Sequence, residues 1–178
     1  MTMFVRVDHA ERRICEIATA ACQRQAIRAL FRTVSRLGDG VVWFVLMATM
    51  PLFMGLDRLE TGLRVSVQML AAGAFGLALY KLLKKKLVRE RPYIGLVGIE
   101  CAMPPLDRYS FPSGHTLHAV LFTAIAIHHV PMLAIVLVPF ALLVAASRVI
   151  LGLHYPTDVL AGATLGALIA AGSQSIFF

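Results

Sequence analysis

Apolar and polar positions divide this chain into five hydrophobic runs and the segments between them. Val41–Leu56, Leu63–Leu83, His115–His129, Met132–Ala146 and Val159–Phe178 carry few charges, whereas Pro, Gly and ionisable residues collect in the connections. Each run predicts a helix crossing a membrane. The first is short but uncharged, and the third, short and partly polar, predicts a helix largely enclosed by its neighbours. The fifth is rich in small residues, including Gly162, Gly166, Gly172, Ala167 and Ala170, which let backbones approach closely and place it inside a bundle. Ahead of the runs, Ala10–Leu37 has a helical pattern that is too charged to cross. Ile27, Leu30, Phe31 and Val34 fall at i, i+3, i+4 and i+7, while Arg24, Arg28 and Arg32 recur every four residues on another face. Two placements fit that pattern: a helix lying in the headgroup layer, or one packed against the bundle. Gly38-Asp39-Gly40 ends it. Trp43 suits an interfacial anchor, and Arg64 can snorkel its head to the interface.

Composition agrees with this reading. Of 178 residues, 58% are hydrophobic and 15% charged, against about 45–50% and about 25% in soluble domains. The expected fold is an all-α integral membrane protein, a bundle of about five transmembrane helices preceded by an amphipathic N-terminal helix. One domain takes the whole of 1–178, with 1–40 as the amphipathic segment and 41–178 as the bundle. The first residues lack the apolar core and small-residue cleavage site of a signal peptide, so insertion is expected to begin with an internal span. Net charge is +7, but the basic residues flank the spans, so the partner they imply is an anionic lipid bilayer and not nucleic acid. Cys15, Cys22 and Cys101 have no C-x-x-C spacing and an odd count, which predicts reduced thiols and neither a disulfide framework nor a zinc site.

Because each span reverses direction, the N-terminal helix, the Leu87–Phe111 connection and the Arg148–Asp158 turn share one membrane face. Arg58 and Arg64 lie on the other. The first face also holds Arg12, Arg13, Arg24, Arg28, Arg32, Arg36, Lys85, Lys86 and Arg89, and the positive-inside rule makes it cytoplasmic. Lys85, Lys86 and Arg89 are read as topology signals.

Three motifs meet on that face. Lys84 and Arg91, with six residues between them and Pro92 following, open the long connection. Pro112-Ser113-Gly114-His115 closes it, and Ser147-Arg148 with His154 and Asp158 follows the fourth run. Lys84, Arg91 and Arg148 supply fixed positive charge, arginine's planar fork suiting paired phosphate oxygens. Pro112–His115 is a turn into a helix N-terminus, where free N–H groups favour an anion; Gly114 permits close approach and Ser113 adds a hydroxyl. The ligand so described is a phosphate. Asp158, one helical turn after His154, can accept from Nδ1–H and leave the other ring nitrogen free to attack phosphorus. His115 remains to protonate the departing oxygen. His118, one turn further on, is either a pocket residue or a satisfied bundle histidine; His128 and His129, at the far end, receive no role.

The three motifs, in this order, resemble the signature of the type-2 phosphatidic acid phosphatase family, whose fold and site extend to bacterial acid phosphatases and vanadium haloperoxidases. The resemblance implies a lipid phosphate phosphatase working through a phosphohistidine on His154, oriented by Asp158, with His115 as acid and then base. Lys84, Arg91, Ser113, Gly114 and Arg148 would form the phosphate cradle. It also implies no metal and no cofactor, and Glu90, Glu100 and Asp107 are scattered through the connection without forming an oxygen-rich cage. Substrates of this class are phosphatidic acid, phosphatidylglycerophosphate and polyprenyl phosphates or pyrophosphates. A lipid phosphotransferase would use the same site; a transporter or channel would instead place charges along a lumen with helices broken at midplane. Family habit puts the site outside the cell, whereas charge bias puts it on the cytoplasmic face of a bacterial inner membrane, the side adopted here.

Overall fold

The computed structural model describes residues 5–96, 98–99, 101–105 and 107–178; Glu100 and the first four residues lie outside them. Eight α-helices account for most of these residues: α1 (Val5–Ala20), α2 (Gln25–Leu37), α3 (Val41–Met54), α4 (Leu59–Leu87), α5 (Pro92–Gly95), α6 (Gly114–His129), α7 (Ala134–Ile150) and α8 (Pro156–Phe177). No strand occurs among the described residues. The expected all-α membrane bundle is therefore present, with α3, α4, α6, α7 and α8 on the five apolar runs.

Their lengths differ from the expectation. Among the described residues, α4, α7 with its preceding turn, and α8 are long and apolar enough to cross a membrane singly. At 14 residues, α3 extends about 21 Å, short of a hydrocarbon core of about 30 Å. It reaches spanning length only together with α2, to which it is joined at a 49° bend. That bend is the Gly38–Gly40 turn, where Gly40 takes φ 138°, a conformation open to glycine. These apolar helices make this an integral membrane protein. Phe44, Phe75, Ile135, Leu160 and Ile176 turn outward from it, as lipid-facing residues do.

The N-terminal pattern, drawn as one helix from its sequence, is two. A single 3₁₀ turn at Ala21–Gln23 and an extended Arg24 separate α1 from α2, and Nε of Arg28 donates back to the Cys22 carbonyl at 2.9 Å. Both helices pack on the bundle, α2 along α7 and α1 along α7, α5 and α8. Val34 and Ser35 are buried, while Ile14, Ile17 and Leu30 remain more than half exposed.

At the centre stands α6, whose Leu117, Leu121 and Ile125 are fully buried. Its closest partner is α8. A Cβ at Gly162 would lie 2.4 Å from the Ser113 carbonyl oxygen, and one at Gly166 2.4 Å from that of Leu117. The small residues thus do bring two backbones together, but along one stripe only. Gly172 faces open space and Leu160 and Leu168 point outward, so α8 is not enclosed all round. Gly166→Ala is expected to lower the unfolding temperature in detergent markedly, since overpacking costs about 1–3 kcal/mol and the obstacle here is backbone. Gly172→Ala, measured alongside, should not.

Trp43 is not an interfacial anchor. It is 2% exposed, its indole N–H donates to the Gly38 carbonyl at 3.1 Å, and its ring packs on Phe122 and Phe140. Side chains of α6 and α7 thus hold the ring inside the bundle, on the wall of the cavity described below. Arg64 does extend outward, near Glu60 at 3.4 Å and over the Phe178 ring.

Candidate active site

One end of the bundle gathers the C-terminal turns of α4 and α7 and the N-terminal turns of α3, α6 and α8. Helical phase separates the three lysines that close α4: Lys84 points inward and is buried, whereas Lys85 and Lys86 are exposed. Val88 then takes a left-handed conformation, φ 44°, which is costly for a β-branched residue. It reverses the chain and carries the following residues back over the site. Arg89 and Arg91 are both 1% exposed with Glu90 turned out between them.

A cavity of about 360 Å³ opens between α3, α4 and α6. At its polar end stand Lys84, Arg91, His115, Arg148 and His154; Trp43, Met47 and Phe122 line its apolar depth. Of the predicted cradle, Gly114 also lines it, and a Cβ there would meet the Tyr80 ring at 3.0 Å. Ser113 is placed differently from the expectation. Fully buried, it is the N-cap of α6, its hydroxyl 2.9 Å from Thr116 Oγ1 and 3.4 Å from the Thr116 amide. The helix start claims that oxygen before a ligand can.

Asp107 already occupies part of the cradle. Its carboxylate accepts from Lys84 Nζ at 2.7 and 2.9 Å and from Arg91 Nη2 at 2.6 Å. Burial pushes the Asp107 carboxyl up, but these two cations outweigh it and hold its pKa below the ordinary range. Asp107 is thus no stray carboxylate of the connection. Arg91 Nη1 also donates to the Leu153 carbonyl at 2.8 Å. Arg148 donates one Nη to the Ser35 hydroxyl; its buried Nε has no hydrogen-bond partner among the described residues.

His154 sits in the loop between α7 and α8, held through its own amide and that of Leu153, both donating to the Arg148 carbonyl at 3.0 and 3.1 Å. Its Nε2 lies 3.4 Å from Arg91 Nη1. A guanidinium can only donate, so the ring presents its lone pair there and carries its proton on Nδ1. That nitrogen faces Asp158 Oδ2 at 3.5 Å. The separation exceeds hydrogen-bond length, and Nδ1 has no other partner among the described residues. Catalytic hydrogen bonds are often this long before substrate binds. Burial first, then Arg148, Arg91, Lys84 and His115, push the imidazole pKa well below its usual range, so the ring is neutral near pH 7.

Asp158 lies behind the cavity at the third position of α8, which Pro156 opens. Its Oδ2 accepts from the Tyr155 amide at 2.9 Å, the reciprocal half of a capping box. Its Oδ1 accepts from Arg89 at 2.6 Å. Arg89 is therefore no topology signal; buried over the Tyr155 ring at 4.0 Å, it also pairs with Glu11 of α1 at 2.8 Å. The signal that could have found it is Pro92, since a segment leading into proline is extended and puts residues two apart on one side. His115 pairs with Asp39 of the Gly38–Gly40 turn, a partner no local pattern announces.

The remaining candidates resolve simply. His118 lines the cavity, and its ring nitrogens lie 3.1 Å from the Gly114 and Gly73 carbonyls, to one of which a neutral ring donates. His128 and His129 contact each other and Phe178 at the far end. No disulfide joins the cysteines among the described residues, and burial pushes the thiol of Cys22 up against the pull of Arg28 and Arg32. No group of three His, Cys, Asp or Glu side chains converges as a metal site among the described residues.

Residues 63–178 match the family described as the PAP2 superfamily. Among curated proteins, decaprenylphosphoryl-5-phosphoribose phosphatase of Mycobacterium tuberculosis is 30% identical over 164 residues, covering 90% of this chain and 86% of its own. Among solved structures, the PAP2-type phosphatidylglycerolphosphate phosphatase of Bacillus subtilis superposes with a TM-score of 0.74 at 26% identity, over 97% of this chain and 86% of that one. Aquifex aeolicus LpxE shares the fold, with a TM-score of 0.67 at 23% identity over 92% and 93% of the two chains.

Proposed function

We propose that this chain, which belongs to the PAP2 superfamily and is a lipid phosphatase, removes phosphate from a polyprenyl or glycerolipid carrier through a phosphohistidine on His154. The observation that carries the reading is a cavity with cations and two imidazoles at one end and an apolar slot at the other. The first matches a phosphate and the second the start of its lipid tail. Residues 1–178 act as one unit in this reading, because Glu11, Ser35 and Asp39 of 1–40 reach the polar end of the bundle in 41–178.

In the reaction, the phosphate displaces Asp107 from Lys84 and Arg91 and takes the spare Nε of Arg148. These donors stabilise the charge that spreads over the equatorial oxygens in the transition state. The Nε2 lone pair of His154 forms a bond to phosphorus as the bond to the leaving oxygen breaks, and that oxygen takes a proton from His115. His115 then accepts a proton from water, which attacks phosphorus, breaks the P–N bond and releases inorganic phosphate. Gly114 lets the α6 N-terminus approach the phosphate, while Ser113 acts by capping that helix. No step uses a metal.

Phosphate release from phosphatidic acid, phosphatidylglycerophosphate and polyprenyl mono- and diphosphates, assayed with purified protein in detergent, tests the substrate. Turnover of at least one, inhibited competitively by vanadate and unchanged by chelator, is expected; turnover of none, or its loss in chelator, counts against the reading. We place the protein in a bacterial cytoplasmic membrane with the site on the cytoplasmic face, supported by the basic residues of α1, α2 and the end of α4. Protease cleavage of the connection after Leu87 from the outer side only would reverse that orientation.

A further inference from the structure

Glu11 lies outside all three motifs, yet it is among the most fully engaged carboxylates in the described structure. On α1 and 7% exposed, it accepts at 2.7 Å from the Thr157 amide and at 2.7 Å from the Thr157 hydroxyl, as well as from Arg89. The Thr157 amide belongs to the first turn of α8, where N–H groups have no partner within the helix. Glu11 thus caps in trans the helix that carries Asp158, its charge favourable at that end. Arg89 spans the gap: one Nη on Glu11, the other on Asp158 and the Thr157 hydroxyl at 2.6 and 2.7 Å.

Burying such a set is not a route to stability. Buried ion pairs roughly break even against well-packed apolar residues of similar volume, so apolar side chains in place of the whole set would hold α1 as well. What an apolar residue cannot do is orient a carboxylate or balance a guanidinium. With Glu11 present, Arg89 divides its charge between two carboxylates, and Asp158 stays a strong acceptor toward His154. Without Glu11, Arg89 draws more strongly on Asp158, the pull of Asp158 on the Nδ1 proton weakens, and the plane of its carboxylate is held from one side fewer.

We propose that Glu11 is a positioning residue for the nucleophile, acting through Arg89 and Asp158 on His154. The inference rests on the roles proposed above for His154 and Asp158. It joins α1, a helix outside the family match, to the chemistry.

The experiment is a double-mutant cycle between Glu11→Gln and Asp158→Asn in the full-length protein, with kcat and KM measured on a radiolabelled lipid phosphate and unfolding temperature recorded alongside. Glu11→Gln alone is expected to lower kcat about tenfold, the scale of other outer-sphere orienting partners, with KM little changed. In the Asp158→Asn background it is expected to cost nothing further, because the group it acts through is already disabled. An unchanged kcat in Glu11→Gln, a loss confined to KM, or an equal loss in both backgrounds overturns the proposal. Should Glu11→Gln not fold, Glu11→Asp carries the same cycle: a kcat loss that vanishes beside Asp158→Asn supports the proposal, and an additive one overturns it. If Asp158→Asn by itself leaves kcat intact, it is the reading of the site that fails, and this inference with it.

Discussion

His154→Ala is expected to abolish turnover and leave the bundle folded. Removing the nucleophile of a hydrolase that works through a covalent intermediate costs up to about 10⁶ in kcat. His115, paired with Asp39 through Nε2, already serves as acid and base in the same reaction and so does not replace it. The loop should keep its shape, because it is the backbone amides of Leu153 and His154 that bind the Arg148 carbonyl, and Leu151 and Leu153 remain fully buried. Rapid quenching of wild type with labelled substrate should trap acid-labile label on the protein, and the variant should show none. Retained turnover in the variant would remove the mechanism. The pH profile carries the same signature. With the His154 pKa held low by burial and the surrounding cations, the ring stays neutral and nucleophilic as pH falls through the ordinary histidine range near about 6.5. The loss of kcat on the acid side should therefore begin below that range.

The second large effect is expected from Asp158→Asn, a loss of about 10⁴ in kcat by the logic that governs the orienting carboxylate of a triad. Both oxygens of Asp158 are used, one by Arg89 and one by the Tyr155 amide, and the second also faces His154 Nδ1. An amide offers one acceptor atom and one donor group in the same space. If its oxygen keeps Arg89, its NH₂ confronts the Tyr155 N–H and turns a donor toward Nδ1. That favours the tautomer with hydrogen on Nε2, the atom needed as a nucleophile, and sets it against the Arg91 donor. Single-turnover measurement on protein whose unfolding temperature is unchanged separates this effect from misfolding; activity within tenfold of wild type would mean that Asp158 does not set the tautomer.

Much of this was legible in the chain itself. Five apolar runs, the charge bias between faces and the order of the three motifs depend on composition and spacing, and a membrane makes these decisive because unsatisfied backbone and charge cannot rest in lipid. Pro156 at the head of α8 places Asp158 in its first turn, and the phase of α4 turns Lys84 in while Lys85 and Lys86 face out. These are local regularities, and local physics decides them.

Other features depend on what the fold brings together. Ser113 was assigned to the phosphate, but the helix start takes its hydroxyl. Trp43 suits an interface by its place in the chain, but Phe122 of α6 and Phe140 of α7 pack on its ring. Glu11, Asp39 and Asp107 carry no motif, because each acquires its meaning from a cation or an imidazole remote in sequence: Arg89 for Glu11, His115 for Asp39, Lys84 for Asp107. Residue type, period and order along the chain determined that this protein crosses a membrane and which cations and imidazoles stand at the ends of its helices. Which carboxylate answers which cation was decided only when the helices packed, since a buried charge selects its partner by distance in space and not along the chain.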